Sequence, residues 1–258
     1  MKLVYIPDTQ VKKGVPIDHL LAAGKYIVKH KPDVVVVAGD WWDMPSCNLY
    51  ATQMEIEGKR VIEDIEAGKE AMHLFMSPLT KYNARMRKNA KKQYKPRLVF
   101  TTGNHDPEVR LPRLVESNPI LEGLEIDDTR AFLEDYGFEV YKFLEVVNIE
   151  GIRFSHYHVN PHSAKKGPLG GAIDTMLKNA GFSFIQGHCQ GLKMGKHYLA
   201  DGTRRLGIVA GSFYQHDEDF MGIQGNEHWQ GIIHLNEVAD GGADVCEISL
   251  KYLMEKYL

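Results

Sequence analysis

Two short apolar runs near the start of the chain constrain the fold more than any other feature. The runs Leu3–Ile6 and Val34–Ala38 have the composition of strands that are buried on both faces. Between them, apolar residues at helical spacing from Ile17 to Val28 predict an amphipathic helix that ends before Pro32. A strand, a helix and a second strand in this order form a β-α-β unit, which predicts a parallel sheet with helices packed against it.

Further apolar segments extend this pattern along the chain. The additional predicted strands are Leu98–Thr101, Val140–Phe143, Val146–Ile149, Ile152–Ser155, Phe182–Gln186, Leu206–Ala210, Gly231–Leu235 and Val245–Leu250. The segment 45–95 is rich in Glu, Lys, Ala and Met and ends in a basic stretch, so it predicts a mostly helical insertion. Because no linker is evident, we expect one domain over residues 1–258.

Composition limits the class of protein. The formal charge is −3, so contact with nucleic acid would depend on local basic patches. Three widely spaced cysteines without a C-x-x-C pair indicate a reduced chain. No signal peptide precedes the first strand, and no apolar run approaches the ~20 residues of a membrane span. We therefore expect a soluble, cytoplasmic protein without a membrane partner.

Polar side chains that can bind metal follow five of the predicted strands. The five blocks are Asp8-Thr9-Gln10, Gly39-Asp40-Trp41-Trp42-Asp43, Gly103-Asn104-His105-Asp106, His156-Tyr157-His158 and Gly187-His188-Cys189-Gln190. In open α/β sheets, ligands bind beyond the carboxyl ends of the strands. The sequence therefore predicts that these blocks meet at one site.

In order, the blocks D-x-Q, G-D-x-x-D, G-N-H-D, H and G-H-x-Q resemble the pattern of the calcineurin-like metallophosphoesterases. The usual form of that pattern is D-x-H, G-D-x-x-D, G-N-H-[D/E], H and G-H-x-H. The resemblance extends from residue 8 to residue 190. It implies an α/β sandwich of two sheets with flanking helices, and the compact chain is similar to phage-encoded members of the family.

The resemblance also implies a centre of two divalent ions. The ligands that it implies are Asp8, Gln10, Asp40, Asn104, His156, His188 and Gln190. Asp40 would bridge the two ions. Asp8, Gln10 and Gln190 would complete the first site, and Asn104, His156 and His188 would hold the second ion. Two ions ~3.5–4 Å apart activate a bridging hydroxide for in-line attack on phosphorus. His105 would act on the leaving oxygen, and Asp106 would orient His105.

The sequence departs from the usual pattern at Gln10 and Gln190, where histidines are common. The first site would then contain only oxygen ligands, which favour Mn²⁺ or Mg²⁺ over Zn²⁺. We expect Mn²⁺, with Mg²⁺, Fe and Zn²⁺ as alternatives. A centre with one tightly bound ion and one exchangeable ion is an alternative.

Three more residues have two interpretations each. Asp43 is either a helix N-cap or a hydrogen-bond partner at the site. His158 competes with His156 as a ligand, and we favour His156 because it follows its strand directly. Arg204 is either a contact for substrate phosphate or an ordinary surface residue.

These features predict a metal-dependent hydrolase that acts on phosphate esters. We expect phosphodiester bonds of nucleic acid or nucleotides to be the substrate, as in a phosphodiesterase or nuclease. The alternatives are a phosphomonoesterase that acts on a small molecule or a phosphoprotein, and a catalytically inactive metal-binding or interaction protein. The sequence gives no indication of the oligomeric state or of a specific substrate.

Overall fold

The structure, a computed structural model, describes residues 1–121, 129–218, 222 and 228–258. These residues form two mixed β-sheets with helices packed on their outer faces. The α/β fold class predicted from the sequence is therefore confirmed. None of the helices in the described part of the chain combines the length and the apolar composition that a membrane crossing requires.

The elements of the described residues are numbered in chain order. The strands are β1 (Leu3–Ile6), β2 (Val34–Val37), β3 (Arg97–Thr101), β4 (Phe138–Tyr141), β5 (Val147–Ile149), β6 (Ile152–Phe154), β7 (Ser183–Gln186), β8 (Leu192–Tyr198), β9 (Arg204–Ala210), β10 (Gly231–Ala239) and β11 (Gly242–Ser249). The helices are α1 (Asp18–His30), α2 (Gln53–Ile56), α3 (Val61–Lys88), α4 (Pro107–Ser117), α5 (Thr129–Asp135), α6 (Ile173–Ala180) and α7 (Leu250–Tyr257). Short 3₁₀ turns occur at Pro45–Cys47 and Pro119–Leu121.

The parallel strands of both sheets end where the polar blocks begin. The first sheet has the order β11-β10-β1-β2-β3-β4, in which β1 to β4 are parallel to one another and β10 is antiparallel to β1. The second sheet has the order β5-β6-β7-β9-β8, and β6, β7 and β9 are parallel. The blocks predicted from the sequence follow β1, β2 and β3 in the first sheet and β6 and β7 in the second.

The unbroken apolar runs arise because the first sheet is covered on both faces. Alternate residues such as Tyr5 and Val36 face the second sheet, where they pack with Phe154 and Ile185. Their neighbours, such as Val35, face the opposite way into a core shared with α1 and α3. The two sheets thus pack face to face, and every residue of β1 and β2 is buried.

The chain between β2 and β3 contains α2 and the long helix α3. Trp41 and Trp42, which follow β2, donate their indole N–H groups to the carbonyl oxygens of Gly68 and Ile65 at 3.0 and 3.1 Å. A Cβ atom at Gly68 would lie 1.8 Å from the indole nitrogen of Trp42, so glycine is required for this close approach. The two tryptophans therefore pack beneath α3. The predicted extent of the insertion and the single domain stay predictions.

Several elements differ from the sequence-based prediction, among them β8 and the end of β11. Strand β8 is absent from the prediction because an edge strand with two exposed lysines, Lys193 and Lys196, has little apolar alternation. The strand predicted to end at Leu250 ends instead at Ser249. The Ser249 hydroxyl accepts the Tyr252 N–H at 3.2 Å and caps α7. Helix α7 buries Leu253 against the first sheet.

Candidate metal centre

Four side chains from both sheets converge on a buried point. The Oδ1 atom of Asn104 lies 2.9 Å from Nε2 of His156 and 2.9 Å from Nδ1 of His188. The Oδ2 atom of Asp40 lies 3.3 Å from the same Nε2 of His156. One ligand atom each from Asp40, His156 and His188 lies within 4.8 Å of the others. A carboxylate, an amide carbonyl and two imidazole nitrogens form a donor set that fits a divalent cation.

The orientation of His156 is fixed by a contact with Ala38, the residue that follows β2. Its Nδ1 atom lies 3.0 Å from the carbonyl oxygen of Ala38, which can only accept a hydrogen bond. Nδ1 therefore carries a proton and Nε2 faces Asp40 and Asn104. A metal-binding imidazole commonly donates its second N–H in this way, which sets the ligating tautomer. The side chain of His156 is fully buried.

Three candidate ligands have backbone conformations that side chains rarely adopt. Gln10, Asp40 and His188 have φ angles of 43°, 45° and 62°. Such left-handed residues cost ~1–3 kcal/mol each and are concentrated at functional sites. Each of the three residues lies in the turn that follows its strand.

Glycines allow the backbone to approach the buried carboxylates. A Cβ atom at Gly103 would lie 2.2 Å from Oδ1 of Asp40, and one at Gly187 would lie 2.2 Å from Oδ1 of Asp8. Any larger residue would displace these carboxylates. The glycines in G-N-H-D and G-H-x-Q are thus explained by space beside the two acidic side chains.

The residues predicted for the first metal site lie beside this cluster. The buried carboxylate of Asp8 accepts the backbone N–H of His188, at 3.1 Å for one oxygen and 2.9 Å for the other. The N–H of Gln10 donates to the carbonyl oxygen of Asp40 at 2.9 Å. The Oε1 atom of Gln190 accepts the hydroxyl of Tyr214 at 2.7 Å. Ligation by Asp8, Gln10 and Gln190 stays a prediction.

His105 lies at the edge of the cluster, and its neighbours differ from the prediction. Its backbone N–H donates to Oδ1 of Asp40 at 2.8 Å, and its Nδ1 lies 3.0 Å from Oδ1 of Asp43. The Nη2 atom of Arg110 lies 2.8 Å from the same Nδ1 and 3.1 Å from Nε2. Asp43 therefore occupies the position beside the imidazole that the sequence analysis assigns to Asp106.

Asp106 instead binds the backbone of two loops. Its carboxylate accepts the N–H groups of Asp40, Trp41, Trp42 and Gly103, at 3.1, 2.9, 3.2 and 2.7 Å respectively. The interpretation of Asp106 as the residue that orients His105 is corrected accordingly. Asp106 is also the N-cap residue of α4, but its side chain makes no capping hydrogen bond to that helix.

A chain of charged groups extends from Asp43 to a distant part of the sequence. The Lys12 ammonium lies 3.2 Å from Oδ2 of Asp43 and donates to Oε1 of Glu218 at 2.7 Å. The same oxygen of Glu218 lies 2.8 Å from Nε2 of His216. Sequence reasoning did not identify Lys12, although it lies two residues after Gln10. This network fixes the second oxygen of Asp43 and leaves the first facing His105.

Two predicted residues lie away from the cluster. His158 is buried on the outer face of the second sheet, where its ring packs 5.3 Å from Phe182 and 5.6 Å from Phe184 between ring centroids. The structure thus brings His156, and not His158, to the four-residue cluster. Arg204 begins β9, whose opposite end leads towards the site through Ser212. Its role as a contact for substrate phosphate stays a prediction.

Burial and close charges shift the pKa values of the cluster. Burial raises the pKa of Asp8 to about 7, and the Asp40 carboxylate contributes to this increase. Burial lowers the pKa of His156, but the carboxylates of Asp40 and Asp8 and the Ala38 carbonyl together outweigh it and raise the pKa to about 9. Burial and the positive charge of His156 lower the pKa of His188 to about 4. A cation in the cluster would replace these protons and stabilise both carboxylates.

Metal binding is expected to release a proton from His156. Because His156 has a pKa of about 9 without metal, it is protonated at neutral pH and must lose its Nε2 proton to bind an ion. The logarithm of the apparent affinity for a divalent ion should rise by about one per pH unit between pH 7 and 9, where Asp8 is already ionised and His156 is still protonated. Calorimetric titrations in buffers of different ionisation enthalpy count the released protons, and an affinity independent of pH would contradict the assignment.

Comparisons with known proteins give structural similarity only. A scan against protein-family models finds no match. A search of curated proteins also finds no match. Among solved structures, the chain is similar to a dimetal phosphatase from Danio rerio, with a TM-score of 0.46 and 12% identity over 97% of this chain and 96% of that chain. It is also similar to the nuclease MPE from Pseudomonas putida, with a TM-score of 0.34 and 11% identity over 95% of this chain and 87% of that chain. Similarities of this size leave the function to be argued from the site itself.

Proposed function

We propose that the protein is a metal-dependent phosphoesterase that hydrolyses phosphodiester bonds of nucleic acid or nucleotides. The observation that carries this proposal is the convergence of Asp40, Asn104, His156 and His188 beside His105. We propose that these four ligands hold one divalent ion and that Asp40, Asp8, Gln10 and Gln190 hold a second. Bound ions would supply a water of lowered pKa and would neutralise charge on phosphoryl oxygens.

Support for Mn²⁺ comes from the ligands of the proposed first site, which are all oxygens. The carbonyl oxygen of Gln190 has a second lone pair besides the one that accepts the Tyr214 hydroxyl. Oxygen donors favour hard ions such as Mn²⁺ and Mg²⁺.

His105 fits the role of the acid that protonates the leaving oxygen. Burial lowers the pKa of His105, but the carboxylates of Asp40 and Asp43 outweigh it and hold the pKa above the ordinary value. Asp43 accepts from Nδ1, and Nε2, which lies 3.1 Å from Nη2 of Arg110, would carry the proton that is transferred. Asp43 thus orients the imidazole and stabilises its charged form. A leaving alkoxide of a diester needs such a proton, since its conjugate acid is weak.

Hydrolysis of two model substrates tests the proposal. We expect metal-stripped protein supplied with Mn²⁺ to hydrolyse bis-p-nitrophenyl phosphate faster than p-nitrophenyl phosphate. His188→Ala should bind less Mn²⁺ and lose turnover, because it removes a ligand from the cluster, whereas the exposed His162→Ala serves as the control. Faster turnover of the monoester would favour a phosphatase. Stoichiometric metal binding without turnover of either ester would contradict the proposal and favour a non-catalytic protein.

A further inference from the structure

A groove opens beside His105 and Asn104. Its volume is about 440 Å³, within the ~300–1,000 Å³ that is usual for ligand sites. The 3₁₀ turn after β2 and the residues that follow it form one wall, which ends at Tyr50, and α4 forms the other, with Arg110 and Arg113. Asn104 and His105 form the end of the groove nearest the cluster.

The two arginines of the groove differ from other arginines nearby. Arg97 and Arg130 form ion pairs with Glu139 and Glu108 at 2.7 and 2.8 Å. By contrast, Arg110 and Arg113 have no carboxylate within salt-bridge distance among the described residues. Spaced three residues apart, they lie on one face of α4. Among the described residues neither guanidinium is ion-paired, although Arg110 lies near Asp43 because both contact Nδ1 of His105. The groove therefore presents positive charge, and Arg113 carries the part of it that no carboxylate contacts.

The positions of the two guanidinium groups define a direction away from the cluster. Arg110 contacts the ring of His105 and donates from Nη1 to the carbonyl oxygen of Met44 at 3.2 Å, which holds it at the inner end. Arg113 is exposed, one helical turn further along α4, with its guanidinium 6.0 Å from the ring centroid of Phe143. Tyr50 is 100% exposed on the opposite wall. An exposed aromatic ring opposite a guanidinium is an arrangement on which a base can stack.

We propose that this groove binds the leaving-group side of an oligonucleotide, with Arg113 and Arg110 contacting the phosphate next to the scissile one. The proposal rests on the function proposed above, since the groove begins at Asn104 and His105, beside the candidate ligands. Arginine is suited to paired hydrogen bonds with phosphate, and the nucleoside between the two phosphates would lie beside Tyr50. A substrate with a second phosphate should therefore be preferred over one with a single phosphate.

Thymidine dinucleotides that differ in one terminal phosphate test this preference. The substrates are TpT, the same dinucleotide with an added 5′-phosphate, and the same dinucleotide with an added 3′-phosphate. One of the two added phosphates should raise kcat/KM about tenfold, as expected for a charge-assisted hydrogen bond. Arg113→Gln should remove this gain and Arg113→Lys should retain part of it. Arg87→Gln, an exposed arginine at the far end of α3, is the matched control and should retain all of it.

A binding measurement separates this proposal from the proposed function. The anisotropy of a short fluorescein-labelled oligothymidylate reports binding to metal-stripped protein without turnover. Arg113→Gln should weaken binding about tenfold, and the slope of log K against log salt should become shallower by about 0.7 for one lost phosphate contact. If binding depends on Arg113 but no substrate is hydrolysed, the proposed function is wrong and the groove assignment is supported. No gain from either phosphate, or an equal loss in Arg87→Gln, would overturn the groove assignment.

Discussion

Asp106→Ala is expected to be the most destabilising single substitution in the site. The change would leave the buried N–H groups of Asp40, Trp41, Trp42 and Gly103 without their acceptor. Each unsatisfied buried donor costs ~1–3 kcal/mol, and these four share one partner, so the costs do not simply add. We expect the free energy of unfolding to fall by at least about 4 kcal/mol.

Urea unfolding of the metal-stripped protein measures this loss directly. Asp106→Asn should have an intermediate effect, since its amide keeps one acceptor oxygen of the two. Asp135→Ala removes an exposed carboxylate at the end of α5 and should change stability by less than about 0.5 kcal/mol. A loss for Asp106→Ala no larger than that of the Asp135 control would show that other groups satisfy the four amides.

His105→Ala is expected to lower kcat by ~10²–10⁴-fold on a natural diester, the range usual for loss of general acid catalysis. The substitution keeps the backbone N–H that donates to Asp40, so the candidate ligands should stay in place. The size of the loss should depend on the leaving group. Departure of p-nitrophenolate needs little protonation, so bis-p-nitrophenyl phosphate should be affected much less than TpT.

The ratio of the loss of kcat on TpT to the loss on bis-p-nitrophenyl phosphate distinguishes a general acid from a structural residue. Mn²⁺ stoichiometry, measured by equilibrium dialysis with metal analysis, should stay at the value of the unaltered protein. His162→Ala is the control for an exposed histidine and should leave both rates unchanged. An equal loss on both substrates, together with weaker Mn²⁺ binding, would indicate that His105 supports the metal centre and does not protonate the leaving oxygen.

The sequence predicts the central strands of the first sheet because these strands are buried on both faces. β1 coincides with the predicted run Leu3–Ile6, and β2 differs from its prediction only by ending at Val37. Their residues face apolar layers on both sides, so composition alone identifies them. The convergence of Asp40, Asn104, His156 and His188 follows from the predicted strands, since parallel strands end at one edge.

The contacts between neighbouring loops could not be predicted in this way. Asp106 is adjacent to His105 in the sequence, whereas Asp43 is 62 positions away. The backbone directions nevertheless place Asp43, and not Asp106, in contact with the imidazole. The partnership of Lys12 with Glu218 joins residues 206 positions apart, which no local pattern indicates. Only the structure shows that Arg110 and Arg113 have no carboxylate within salt-bridge distance in the part of the chain that it describes. Side-chain direction and long-range pairing are thus the information that a single sequence does not contain.

The origin of the four converging ligands has a consequence for how long the protein survives. Asp40 and Asn104 extend from one sheet, and His156 and His188 extend from the other. An ion bound by all four residues would link the two sheets of the sandwich. A ligand that binds only the folded chain stabilises it by ~2.7 kcal/mol at a concentration 100 times its Kd. The supply of metal would then influence how fast the protein is degraded. Without the ion the two sheets would separate more often, and proteases cleave such open forms.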